Sequence, residues 1–230
     1  LRIKKEDIPQ LVNLSWVQYI ESVPDAPTSL NDRSVANTKA NLLNNSNILG
    51  YTLKGEGVVI GLGDYSSLNS HIDLKPSVIS DNTLGTTAHG LHVAGTLAGS
   101  GLINEKFQGF APKSSMIARQ TTAVIEDAAQ LYANYGMVLT NNSYATSTTN
   151  VCSLFGLYDA QSVIVDKQMA QLPSLQHVIA AGNSGQTMVC EGMPLGFGSI
   201  IGSYNVGKNV ITVGQTLVDG DVAASSSKGP

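Results

Sequence analysis

Thr86-Thr-Ala-His-Gly-Leu-His-Val-Ala-Gly-Thr-Leu-Ala-Gly-Ser-Gly101 is the stretch whose reading decides the rest of the chain. It holds two histidines three apart, His89 and His92, among residues that are otherwise small, hydroxylic or apolar. A helix from Ala88 is the natural reading, although Gly90, Gly95 and Gly99 each cost it roughly 1 kcal/mol relative to Ala. A helix that carries several glycines packs close to its neighbours, backbone against backbone. His89 then falls in the first turn, where the positive end of the helix dipole disfavours imidazolium. A neutral imidazole is what a general base requires. Two satisfied core histidines would give the same pattern. The chemical reading therefore needs an orienting carboxylate and an oxyanion donor elsewhere.

Both are found by working outward. Gly57-Val-Val-Ile-Gly-Leu62 is a continuous apolar run bounded by glycines, as suits a strand buried on both faces, and Asp64 follows it. Further strands are expected at Ser115–Ala118, Met137–Thr140, His177–Ala181 and Val210–Val213. Helices are expected at Ser34–Leu43, followed by a loop at Asn44–Gly50, at Ile125–Tyr135, with Gly136 as its stop, and at Gly156–Leu172, closed by Pro173. Strands alternating with helices predict an α/β fold, a doubly wound parallel sheet with helices on both faces. In such sheets the working groups gather beyond the carboxyl ends of the strands. Asp64 and Asn183 both fall there, and His89 opens a helix. A carboxylate can fix an imidazole's tautomer and steady its cation. An uncharged amide N–H, as Asn183 offers, can stabilise a developing oxyanion.

Composition narrows the function classes. The 230 residues carry a formal net charge of −4, with 13% charged residues against about 25% in an average soluble protein. The chain has no basic cluster, which argues against nucleic acid or an anionic membrane surface as a partner. No apolar run approaches the roughly 18 residues a membrane span requires. Gly61-Leu-Gly63-Asp lacks the third glycine of a dinucleotide loop, and its acid would repel pyrophosphate. His89 and His92 lack the i, i+4 spacing and intervening Glu of a zinc peptidase, so no metal site is assigned. Cys152 and Cys190 are either two free thiols or a disulfide; a disulfide is the expectation. It would close a loop of about 39 residues, worth roughly 4 kcal/mol on a chain-entropy model.

These segments resemble the subtilisin-like serine peptidases. Gly57–Leu74 resembles the family's catalytic-Asp segment, with Tyr65-Ser66 where a small hydroxyl residue and Gly are usual. His89-Gly-Leu-His-Val-Ala-Gly-Thr resembles its catalytic-His segment, with Leu91 in place of Thr, and Gly109-Phe-Ala-Pro-Lys113 the segment after it. Val178-Ile-Ala-Ala-Gly-Asn-Ser-Gly185 resembles the oxyanion-Asn segment. Val210–Gly214 and Ser226–Pro230 resemble the run that precedes the nucleophile. The resemblance covers about residues 50–230. It implies Asp64 as orienting carboxylate, His89 as base and then acid, Asn183 as oxyanion donor and His92 as structural. It further implies Ser143, Tyr144 and Ala145 as the strand that pairs with substrate, and Ala180, Ala181 and Gly182 as lining of the pocket before the scissile bond.

The nucleophile segment, Gly-Thr-Ser-Met in this family, has no counterpart in the chain and is expected beyond Pro230. The 230 residues alone are then expected to be inactive, with the fold incomplete at its C-terminus. A non-catalytic binding scaffold that has lost the Ser is the alternative. Residues 1–24 are expected to be a propeptide remnant or an N-terminal appendage, 25–50 a connecting segment, and 51–230 the first part of the peptidase domain. The expected partner is a peptide or protein substrate, with a propeptide in addition. No cofactor is evident, though the resemblance brings calcium into view. A secreted or cell-surface location in a bacterium is expected.

Overall fold

The computed structural model describes residues 14, 30–44, 51–144, 152–186, 190–200 and 202–229. Within them Val59–Gly63 (β1), Val78–Asn82 (β2), Ser115–Arg119 (β3), Met137–Asn142 (β4), Gln176–Ala180 (β5) and Ile211–Val213 (β6) form one sheet in the order β2-β3-β1-β4-β5-β6. Every pairing in it is parallel. The helices are Leu30–Asn37 (α1), Ala40–Asn44 (α2), Ala88–Ala98 (α3), Ala123–Glu126 (α4), Ala128–Tyr135 (α5) and Ala160–Gln171 (α6). The expected readings of residues 1–24, apart from the exposed Leu14, and of the loop expected at Asn44–Gly50, apart from Asn44, which ends α2, lie outside the described residues.

Alternation along β3 separates two cores, as a period of two demands. Met116 and Ala118 pack with Leu62, Leu68, Leu74 and, from α3, Ala94 and Ala98. Ile117 between them faces Val124 of α4, Leu131 of α5, and Val165 and Met169 of α6. Helices thus cover both faces. One consequence is topological. The β2–β3 connection through α3 and the β3–β4 connection through α4 and α5 step the same way along the sheet, yet lie on opposite faces. They therefore have opposite hands, and one of them departs from the right-handed preference of parallel crossovers.

Four elements differ from the sequence reading. The edge strand β2 was not expected. Its Asp81 serves as a hydrogen-bond hub for Ser67, Leu68, Asn69 and Thr83, which removes the apolar alternation. The helix expected over Ser34–Leu43 is broken into α1 and α2. Thr38 donates back to the Ser34 carbonyl at 2.9 Å and Lys39 has φ 59°. The helix expected over Ile125–Tyr135 starts two residues earlier and breaks at Asp127, which lets Val124 and Ile125 on one side and Ala128 and Leu131 on the other all reach the core. The helix expected from Gly156 starts at Ala160, because Asp159 caps it and forms a reciprocal box with Ser162. Cys152 and Cys190 are joined as a disulfide, with Cα atoms 5.7 Å apart.

A titratable side chain is buried one strand in from the edge of the sheet. His177 on β5 is fully buried, and burial lowers its pKa from 6.5 to about 4. Unfolded chains therefore bind a proton between those values that the folded chain does not, so stability falls as pH drops from 6.5 to about 4. The full effect is on the order of 3 kcal/mol. Urea midpoints should decrease over that window, and the decrease should be absent in His177→Gln. An equal decrease in the variant would assign it to other groups.

Candidate active site

Helices after parallel strands begin at the sheet's carboxyl edge, and this brings α3 to the end of β1. Thr87 caps α3 by accepting from the Gly90 N–H at 3.1 Å. Ser66, buried just after β1, exchanges hydrogen bonds with the Thr87 backbone, both at 3.1 Å. The cap is thereby tied to the chain that carries Asp64. Asp64 is 5% exposed. Its Oδ1 accepts from the Tyr65 N–H at 2.7 Å, and its Oδ2 lies 2.8 Å from Nδ1 of His89. This assigns the hydrogen to Nδ1 and leaves Nε2 as the basic nitrogen of the neutral ring. The His89 side chain is 60% exposed, and no described residue bonds Nε2.

Gly90 explains how the helix comes so near. A Cβ there would stand 2.4 Å from Cβ of Ser66 and 3.0 Å from Oδ1 of Asp64. Gly90 and Gly99 both make the expected close approach: a Cβ at Gly99 would stand 3.1 Å from Oδ2 of Asp73 and 3.2 Å from the Phe107 carbonyl oxygen. Gly95 has nothing within 4 Å of such a position among the described residues, although its carbonyl oxygen lies 2.7 Å from where a Cβ of Gly109 would stand, backbone against backbone. Gly99 follows the last turn of α3 as its C-cap. The structure also corrects His92: expected as structural, its side chain is exposed. It lines a groove of about 310 Å³ with Val93, Thr96, Leu97, Phe110, Asn141 and Ser143.

Asn183 stands exposed past the end of β5, two strands from β1 and so roughly 10 Å along the same edge. The preceding Gly182 has φ +113°, a conformation that L side chains rarely adopt. The turn is braced from both sides by Ser227, whose N–H donates to the Gly182 carbonyl at 2.9 Å and whose hydroxyl accepts from the Ser184 N–H at 3.0 Å. Behind it, Asn205 donates to the Ala180 carbonyl at 2.8 Å, and the Ala181 N–H donates to the Val213 carbonyl at 2.8 Å. Ser143 and Ala180 meet in one cleft of about 160 Å³, with Asn141, Asn142, Val178, Ile179 and Val213. Tyr144 lies just past β4, and Ala145 lies outside the described residues.

Ser66, Thr87 and Ser227 escaped the sequence reading as site residues. A Thr before a helix can be read as a cap. Nothing in the local sequence pairs Ser66 with Thr87, or Ser227 with a turn 43 residues earlier. Among the described residues no three His, Cys, Asp or Glu side chains lie together as a metal site. Asp73 is engaged by Ser100 at 2.8 Å and the Leu102 N–H at 2.7 Å. Burial would raise its pKa, but these bonds and one from the Gly101 N–H outweigh it and lower it.

A carboxylate-steered imidazole thus stands at the carboxyl edge of a doubly wound parallel sheet, with an amide in a braced turn on the same edge: an α/β scaffold of the base-and-orienter type. The chain belongs to the subtilase family, whose profile matches residues 55–230. It is similar in structure to a serine protease of Aeromonas sobria, at 18% identity and TM-score 0.57, over 77% of this chain and 35% of that one. It is also similar to the epidermin leader peptide processing serine protease of Staphylococcus aureus, at 19% identity and TM-score 0.53, over 89% of this chain and 57% of that one. A cold-adapted subtilisin-like serine proteinase matches at 20% identity and TM-score 0.50, over 76% and 60% of the two chains. The chain thus spans from 35% to 60% of the length of these structures. No curated protein matches it.

Proposed function

We propose that the full-length protein is a serine endopeptidase, with its nucleophilic serine in sequence beyond Pro230. The observation that carries this reading is the 2.8 Å bond between Asp64 and His89, formed at the carboxyl edge with Nε2 left open. Nε2 takes the proton of the serine hydroxyl as its oxygen attacks the peptide carbonyl. Asp64 steadies the imidazolium, and the Asn183 amide donates to the oxyanion. His89 then returns the proton to the leaving amine, and water repeats the sequence on the acyl group. Ser143 and Tyr144 pair with the extended substrate, and Ala180–Gly182 line the pocket before the cut. A peptide or protein substrate fits the names of the similar structures, one of which processes a leader peptide. Residues 1–24 are proposed as a propeptide remnant. The disulfide supports an oxidising, secreted or cell-surface location. Among the described residues no helix is long and apolar enough to cross a membrane.

A serine-directed fluorophosphonate should label the folded full-length protein, and heat denaturation should abolish the labelling. Folded protein that takes no label would instead favour a non-catalytic scaffold.

A further inference from the structure

Thr140, Asn142 and Tyr144 occupy alternate positions on β4 and just past it, so they share one face. They continue into a buried chain of side chains. Gln168 on α6 donates from Nε2 to the Ile125 carbonyl at 2.8 Å, which leaves its Oε1 as acceptor. His177 donates from Nε2 to that Oε1 at 3.1 Å, so its Nδ1 is bare and accepts from the Thr140 hydroxyl at 2.7 Å. Thr140 accepts from Nδ2 of Asn142 at 2.8 Å. Asn142 in turn accepts on Oδ1 from the Tyr144 hydroxyl at 3.1 Å. Every donor points one way, from Tyr144 inward to α6. Thr140, Asn142 and His177 are no more than 1% exposed. Burial raises the pKa of Tyr144 and lowers that of His177, which keeps the first a donor and the second neutral.

The relay ends where backbone pairing ends. The last partners of β4 are Gly63 on β1 and Ile179 on β5, both opposite Asn142. Tyr144 lies two residues farther on. Its ring rests on Gly63, with Cε1 3.0 Å from where a Cβ would stand, beside the residue that carries the base's carboxylate partner. Ser143, between the two relay members, belongs to the opposite face and to the cleft with Ala180.

We propose that Tyr144 is a positioning residue: the relay Gln168–His177–Thr140–Asn142 holds its hydroxyl and thereby fixes the unladdered segment at Ser143 that receives the substrate backbone. The proposal rests on the peptidase reading above. Its ring and its hydroxyl do separable work, since the ring supports Gly63 and Asp64 while the hydroxyl sets the segment.

Tyr144→Phe in the full-length protein removes only the hydroxyl. For an extended tetrapeptide amide, KM should rise roughly three- to tenfold, the size of one neutral hydrogen bond, with kcat nearly unchanged. A single-residue ester, too short to reach the segment, should show no change in KM. Thr140→Val breaks the relay at another link and should reproduce the KM rise, and the double variant should add little to either. Unchanged KM for the tetrapeptide in Tyr144→Phe would overturn the proposal. So would equal losses on tetrapeptide and ester, which indicate general loosening. Failure of the peptidase reading is seen separately, in wild-type protein that turns over neither substrate.

Discussion

His89→Ala in the full-length protein lowers kcat for peptide hydrolysis by roughly 10⁶-fold, whereas His92→Ala leaves it within about one order of magnitude. The first figure is the loss measured when the corresponding base is removed from subtilisin, a member of the same family, and was not obtained from this structure. The asymmetry, however, is read from the structure. The two histidines share a helix face and a sequence motif, but only His89 touches a carboxylate. Asp64 is nearly fully buried, and its second oxygen is bonded by the Tyr65 N–H, so its Oδ2 has a fixed aim. Removing His89 leaves the nucleophile with no acceptor for its proton. Removing His92 takes an exposed ring from the wall of a groove. Both variants should fold, since neither side chain is buried, and matched thermal midpoints would confirm that activity is being compared between intact proteins. Equal residual activities would refute the assignment of base.

The sequence made the carboxyl-edge constellation legible because each member has a local signature. Asp64 ends an apolar run, His89 opens a helix, and Asn183 lies in a glycine-rich turn. Strand periodicity likewise revealed the buried strands. What it did not reveal depends on pairs distant in sequence. The sheet order places β1 between β3 and β4, and no local pattern encodes that a connection runs along the unusual face. β2 was invisible because an edge strand need not be apolar and Asp81 uses it as a hub. His177 reads in sequence as an anomaly within an otherwise apolar strand, and only the positions of Thr140 and Gln168 make it intelligible. The reading of His92 failed for the opposite reason. An imidazole in a small-residue helix suggests burial, but α3 is laid against the sheet by Gly90, Ala94 and Ala98, and His92 projects away from that stripe.

Gly90→Ala lowers kcat by at least roughly 100-fold, although Ala is the better helix former. Two effects compete. In a helix, Ala is favoured over Gly by roughly 1 kcal/mol. Against this, the added methyl would stand 2.4 Å from Cβ of Ser66 and 3.0 Å from Oδ1 of Asp64. Neither neighbour can yield easily. Ser66 is buried and exchanges two hydrogen bonds with Thr87, and Asp64 is held by Tyr65 and His89. Overpacking of this kind costs about 1–3 kcal/mol, so the net change in stability should be small, about a few degrees in Tm at most. Geometry is the more sensitive quantity. The clash is relieved only by lifting the first turn of α3, and a displacement near 1 Å can cost about 100-fold in rate. Gly95→Ala supplies the comparison, because a methyl there meets nothing within 4 Å among the described residues and should leave activity intact while adding up to about 1 kcal/mol of stability. Stopped activity with a retained midpoint in Gly90→Ala, beside full activity in Gly95→Ala, would show that this glycine is required for the approach of imidazole to carboxylate. Normal turnover in Gly90→Ala would show that the helix can reach Asp64 without it.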